Sequence, residues 1–251
     1  MYVIGIIPAR MASSRFPGKP LAKICGMPMI GHVYKRSKLS KTMDEVYIAT
    51  CDLEIMDYAR SIGARAVMTS PTHERASDRA AEAMLKIENE LGHRVDIVVM
   101  IQGDEPMLHP EMIDESLEPI LNDPKINVVN LMSPLKNQIE HEDPNEVKVV
   151  TDLNNFALYF SREPIPSRKK GAKEIPMLKQ VCIIPFRRDF LMKFNELEPT
   201  PLEIIESVDM MRVLEHGYKV KMVPTNFTTY SVDTKDDLDC VEKCMKEEQA
   251  A

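Results

Sequence analysis

Three cations, Arg10, Arg15 and Lys19, share one short stretch with small residues and prolines near the start of the chain, and Lys23 follows close behind. Fixed positive charges at that spacing can meet several phosphate oxygens at once, and the backbone N–H groups around Ala12 to Ser14 offer further donors. The stretch is not a Walker loop, because Gly18-Lys19 is followed by Pro20 rather than Ser or Thr. It also lacks the GxGxxG of a dinucleotide fold. Two acids complete the chemistry. Asp104 stands in Gln102-Gly103-Asp104-Glu105-Pro106, and Asp233 in Ser231-Val232-Asp233-Thr234. Carboxylate oxygens beside a polyphosphate are what Mg²⁺ requires. Each feature has an ordinary reading alone: a solvated basic loop, an acidic turn, a helix N-cap filled by Asp233 or Thr234. Their joint presence points to a metal-assisted polyphosphate site.

The elements that must position these residues follow a βαβ rhythm, which predicts an α/β protein with a mixed, mostly parallel sheet flanked by helices. The apolar run Tyr2 to Ile7 reads as a buried strand that empties into the cationic loop, and Asp96 to Ile101 as a central strand, apolar on both faces. In open sheets of this kind ligands sit at the carboxyl ends of the strands, so Asp104 is expected to face the same crevice as the loop. Further strands are predicted at Glu45–Thr50, Arg65–Met68 and Ile126–Met132, and helices at Pro28–Leu39, Leu53–Ile62, Asp78–Leu91 and Pro110–Leu121. The segment 136–180 is polar and proline-rich, with short strands at Val147–Thr151 and Ala157–Ser161 and a basic loop at Ser167–Lys173. It reads as a small inserted lobe or dimerisation arm within a single domain spanning 1–251. A helix at Pro201–His216, strands at Lys219–Val223 and Thr228–Val232, and a last helix at Thr234–Met245 complete the expectation.

Composition limits the function. The chain has 251 residues, 44% of them hydrophobic, enough to bury a full core, and the eighteen methionines are expected to fill it. A net charge of −7, with no basic tail and no Trp, argues against a nucleic-acid partner and leaves the local cations for a small anion. Five cysteines without CxxC spacing fit a reducing compartment. The first apolar run is too short to span a bilayer and lacks a signal-peptide pattern, so no membrane partner and a cytoplasmic location are expected. The six histidines have no metal-ligand spacing.

At this point the motifs resemble a known family. The run IIPAR-x-x-S-x-R-x-PGKPL, then QGDEP, N-x-VKVV, ALYFSR-x-PIP, PLE-x-x-E and VDT-x-x-DL are similar, in order from Ile6 to Leu238, to the 3-deoxy-manno-octulosonate (KDO) cytidylyltransferases. The resemblance implies a Rossmann-like nucleotidyltransferase fold, a homodimer, and a reaction joining CTP and a sugar acid into a CMP-sugar plus pyrophosphate with Mg²⁺. It assigns Arg10, Arg15 and Lys19 to the triphosphate, with Arg15 and Lys19 catalytic, and Asp104 and Asp233 to the metal. Gln102 falls near the acceptor, and Arg162, Glu203 and Glu206 on the acceptor side. The segment carrying Arg75, Ser77 and Arg79 approaches the nucleotide base.

Two departures from the family pattern stand out. Where the family has Ser-Gly-Thr-Asp-Arg, this chain has Arg75-Ala76-Ser77-Asp78-Arg79; Gln180 and Cys182 replace a typical histidine and glycine, and Asp209-Met210 a Glu-Gln pair. The transfer machinery is kept while the acceptor side differs. The acceptor is therefore open between KDO and another acid, such as an amino-octulosonate or a phosphonate. A glycosyltransferase and a non-catalytic nucleotide sensor are the competing classes; both acids together with a full cationic loop speak against the sensor.

Overall fold

The computed structural model describes residues 1–12, 16–169, 171 and 174–250. In chain order its elements are β1 (Val3–Ala9), β2 (Lys23–Ile24), β3 (Met27–Pro28), α1 (Met29–Ser37), β4 (Glu45–Thr50), α2 (Leu53–Ser61), β5 (Arg65–Met68), α3 (Ala76–Leu91), β6 (Ile97–Ile101) and α4 (Pro110–Asn122). There follow β7 (Val129–Pro134), α5 (Gln138–Glu142), β8 (Lys148–Thr151), β9 (Ala157–Ser161), β10 (Leu178–Val181), β11 (Ile183–Arg187), α6 (Arg188–Glu196), α7 (Pro201–Glu206), α8 (Met210–Glu215), β12 (Lys221–Pro224) and α9 (Lys235–Ala250). The chain divides into two compact units: Met1–Asp114 with Thr229–Ala251, and Glu115–Thr228. The segment 136–180, expected as a lobe, is one part of the second unit.

In the first unit β6, β1, β4 and β5 lie side by side, all parallel. β1 and β6 are apolar throughout and buried on both faces, as the inner strands of a parallel sheet must be. The register sets Ala9 opposite Thr50 at the carboxyl edge. Beneath the site a cluster of Ile24, Met29, Met107 and Val232 is closed by Leu238, Val241 and Met245, one face of α9. Each such buried side chain contributes roughly 1.5–3 kcal/mol, so α9 is firmly seated and carries the segment before it into place.

The second unit holds a sheet ordered β12-β7-β10-β8-β9, antiparallel except for the β7–β12 pair. The helix expected at Pro201–His216 is two helices, α7 and α8, because Ser207 takes a left-handed conformation (φ 53°) between them. The strand expected at Thr228–Val232 does not form; Val232 instead makes a single backbone bond, its N–H donating to the Asp104 carbonyl over 2.9 Å. Between Leu178 and Glu196 the structure forms β10, β11 and α6 in succession. Among the described residues no helix is long and apolar enough to cross a membrane.

Candidate active site

A cleft of about 330 Å³ opens in the first unit, lined by residues from the ends of β1 and β6, the turn at Lys19, the entry to α3, and Asp233. Its floor is made by the close passage of two chain segments. A Cβ on Gly103 would stand 3.3 Å from the Pro8 carbonyl oxygen and 3.2 Å from Ile30 Cδ1, so glycine lets the chain leaving β6 pass the end of β1. This brings Gln102, Asp104 and Arg10 to one wall.

Lys19 ties the site together. Its Nζ donates to Asp104 Oδ2 at 2.7 Å, to the Val232 carbonyl at 2.8 Å and to Asp233 Oδ1 at 3.3 Å. The lysine side chain is 14% exposed and the two carboxylates 23% and 27%, so these charge-assisted bonds are partly shielded from water. Lys19 begins a 3₁₀ turn preceded by Gly18, whose φ of 73° is a left-handed conformation that glycine adopts without strain. Asp233 is available for this pairing because the cap of α9 is built elsewhere. Thr234 Oγ1 accepts from the Asp237 N–H, and Asp237 Oδ2 accepts from the N–H groups of Asp233 and Thr234. This is a reciprocal capping box made by Thr234 and Asp237, so the N-cap duty falls on Thr234 rather than Asp233.

The opposite wall comes from α3. Arg79 is 3% exposed; its Nη1 donates to Thr69 Oγ1 at 2.5 Å, while its buried Nη2 has no hydrogen-bond partner among the described residues and belongs to a residue lining the cleft. A buried guanidinium donor left unmatched in this way is open to an acceptor from water, an ion or a ligand. Ser77 is buried in the first turn of α3, and Arg75 lines the cleft at the helix N-cap position. Arg10 is exposed and lines the cleft. Arg15 lies outside the described residues, as do Ser13, Ser14, and Lys170, Ala172 and Lys173 of the basic loop.

Sequence reasoning missed a second tier. His73 lines the cleft and its Nε2 is hydrogen-bonded to Glu82, which also accepts from the Ser70 N–H at 2.9 Å and pairs with Lys86 at 2.7 Å. Burial pushes the Glu82 carboxyl up, but bonds from Lys86, Ser70 and His73 outweigh it and bring it down to about 2. The spacing from His73 to Glu82, nine positions on across a loop and a helix, carries no recognisable motif.

Four residues placed on the acceptor side belong to the second unit and have partners there. Arg162 donates through Nε to the Glu206 carbonyl, through Nη1 to Pro144 and through Nη2 to Ser207. Glu206 accepts from Tyr159, Ser161 and the Arg162 N–H. Glu203 is buried in a two-pronged pair with Arg212, at 2.8 and 2.7 Å. Gln180 donates to Asn130 Oδ1 at 2.6 Å. All four brace the second unit's own backbone and side chains.

Asp104 and Asp233 converge on one cation, with the Val232 carbonyl beside them, an all-oxygen donor set of the kind a hard divalent ion takes. Among the described residues no group of three His, Cys, Asp or Glu side chains is placed to hold a metal. A pair of carboxylates is the usual protein share of a Mg²⁺ site completed by phosphate and water.

Comparison with known proteins agrees with this chemistry. A cytidylyltransferase family model matches residues 4–222. The 3-deoxy-manno-octulosonate cytidylyltransferase of Geobacter metallireducens is 42% identical over 251 residues, 96% of each chain. A mitochondrial 3-deoxy-manno-octulosonate cytidylyltransferase of Arabidopsis thaliana is 41% identical, covering 98% of this chain and 83% of the relative. The solved structure of a CMP:2-keto-3-deoxy-manno-octonic acid synthetase complexed with CTP is similar with a TM-score of 0.91 at 36% identity, covering 99% of this chain and all of that one.

Proposed function

The chain belongs to the cytidylyltransferase family, and on that footing we propose that it transfers CMP from CTP to KDO and releases pyrophosphate. It is a CTP-dependent nucleotidyltransferase with an α/β fold of the CMP-KDO synthetase type. Relatives at about 40% identity over nearly their whole length are named for the KDO acceptor, so an amino-octulosonate or phosphonate is not favoured in its place.

The observation that carries this reading is the Lys19–Asp104–Asp233 constellation at the edge of a cleft walled by arginines. The acceptor hydroxyl attacks the α-phosphorus of CTP and pyrophosphate departs. Arg10, Arg15 and Lys19 bind the β- and γ-phosphates and hold the charge that builds on the leaving group. Arg79 offers its unmatched Nη2 to an acceptor atom of the base, with Ser77 and Arg75 on the same helix entry, and Gln102 orients the acceptor. Asp104 and Asp233 would hold Mg²⁺, which when bound neutralises charge at the α-phosphate and lowers the pKa of the attacking hydroxyl. No side-chain nucleophile is needed.

The chain is further proposed to work in the cytoplasm and as a homodimer. Leu158 on the edge strand β9 and Ile204 and Ile205 on α7 are large apolar side chains exposed in the single chain. Light scattering on the eluted protein should give twice the 28.6 kDa chain mass. The test of function is a pyrophosphate-release assay with CTP, Mg²⁺ and a panel of acids. Release is expected with KDO and CTP together and with neither alone. Release with another acid and none with KDO would overturn the acceptor, and preference for UTP, ATP or GTP would overturn the donor.

A further inference from the structure

β1 and β4 run parallel with Ala9 opposite Thr50, so the residues that follow each strand leave the sheet side by side. One pair is joined there: the Met11 N–H donates to Asp52 Oδ2 over 2.8 Å. Asp52 occupies the N-cap position of α2 with extended backbone (φ −107°, ψ 127°), yet its side chain makes no bond to its own helix. Aspartate at an N-cap normally accepts from the next turn, and that bond stabilises the helix. Here the carboxylate is directed away from the helix and onto the neighbouring loop.

We propose that Asp52 is a positioning residue of the nucleotide-binding loop, acting through the Met11 backbone without touching substrate. The inference rests on the reading of the cleft as the CTP site. Met11 is the closure point of that loop. Its N–H is held by Asp52 and its carbonyl accepts the Gly18 N–H at 3.0 Å. Arg10 immediately precedes Met11 and Lys19 immediately follows Gly18, so one carboxylate braces the entry and exit of the segment carrying the site's cations. Asp52 is itself fixed. Its N–H donates to Thr50 Oγ1 at 3.1 Å, its carbonyl accepts the Met56 N–H at 3.1 Å, and Cys51 Sγ lies 3.6 Å from the same Oδ2.

The charge of Asp52 opposes the role, because a carboxylate beside a triphosphate loop repels the ligand. Its contribution is therefore the acceptor oxygen at a fixed place, and charge and acceptor can be separated. Asp52→Asn keeps an acceptor oxygen and removes the charge; Asp52→Ala removes both; Asp52→Ser caps α2 with a hydroxyl too short to serve Met11 in the same way.

The test is calorimetric binding of CTP with Mg²⁺, paired with amide hydrogen exchange at Met11. Asp52→Ala is expected to weaken CTP binding about tenfold, to raise KM for CTP more than it lowers kcat, and to speed Met11 exchange. Asp52→Asn should bind CTP within about threefold of the parent, and Asp52→Ser should lose affinity while keeping its thermal stability. Parent-like CTP affinity in both Asp52→Ala and Asp52→Ser overturns the proposal, as does an Asn variant as weak as the Ala variant. If Asp52→Ala does not fold, the Ser and Asn variants decide it. Failure of the parent protein to bind CTP would instead overturn the functional reading, and unchanged Met11 exchange in the Ser variant would then refute the brace on its own.

Discussion

Replacing Lys19 with Met keeps the aliphatic stem and removes the ammonium held by Asp104, Asp233 and the Val232 carbonyl. Exposed ion pairs contribute about 0–1 kcal/mol and hydrogen bonds to charged groups about 1.5–3 kcal/mol. With side chains between 14% and 27% exposed, this cluster falls between those limits, and the loss is expected near 2 kcal/mol. For a chain of this size that lowers Tm by about 4–8 °C. Turnover should fall by about 10²- to 10³-fold, because the cation proposed to face the leaving pyrophosphate is gone. The same removal takes away the ammonium that stands between the two carboxylates. Millimolar Mg²⁺ without nucleotide should therefore raise the Tm of Lys19→Met more than that of the parent protein, whose ammonium already stands between the acids. Thermal unfolding read by near-UV circular dichroism, with and without Mg²⁺, measures the first and third effects; pyrophosphate release measures the second. A variant with parent-like Tm and turnover within about threefold would refute the reasoning. So would a Mg²⁺ response equal in the two proteins, because the ammonium would then not be what fills the space between the acids.

Glu203→Gln should destabilise the protein by about 3–5 kcal/mol in urea unfolding, since it leaves the buried Arg212 guanidinium without its charge partner; a change below about 1 kcal/mol would show the pair to be dispensable. The Glu82 carboxyl, held at about 2 against an ordinary 4.5, contributes stability that is present above pH 4.5 and lost as pH falls through about 2. Glu82→Gln should remove that part of the acid sensitivity, on the order of 1 kcal/mol after solvent screening, and identical acid unfolding curves would contradict it. Gly103→Ala forces a methyl against the Pro8 carbonyl oxygen and Ile30, and should cut turnover about tenfold at a stability cost of about 1 kcal/mol; parent-like kinetics would show that the β6 exit can yield.

Much of the first unit was legible in the amino-acid pattern because local signals and tertiary placement agree there. Glu45–Thr50 and Arg65–Met68 are strands at the expected residues, and the apolar run before Gln102 is the buried inner strand the pattern requires. The place of Asp104 in the cleft was legible through a rule of topology, that ligands gather at the carboxyl ends of parallel strands; Asp233, expected at the end of a strand that does not form, reaches the same cleft beside the Val232 bond to Asp104. Failures occur where long-range packing decides. Ser207 breaks a helix at a residue with neither Gly nor Pro beside it. Thr228–Val232 has strand-forming residues but pairs with no strand among the described residues, and Val232 bonds instead to the Asp104 carbonyl. Asp52 and Glu82 escaped notice for a related reason: their partners are set by sheet register and by the path of a loop, neither of which leaves a spacing to read. Arg162 and Glu203, which the resemblance assigns to the acceptor side, have partners no spacing announces: backbone carbonyls for the first and the Arg212 guanidinium for the second.

The first unit is assembled from two stretches separated by more than a hundred residues, and its later stretch begins at Thr229. On the ribosome, Lys19 and Asp104 are made long before Asp233. Until α9 emerges, Ile24, Met29 and Met107 lack the Leu238, Val241 and Met245 side chains that cover them. The nascent protein thus carries an open apolar seam and an unfinished charge cluster at the same place, and one late helix closes both. A chain stopped short of α9 would present the surface that chaperones and proteases recognise.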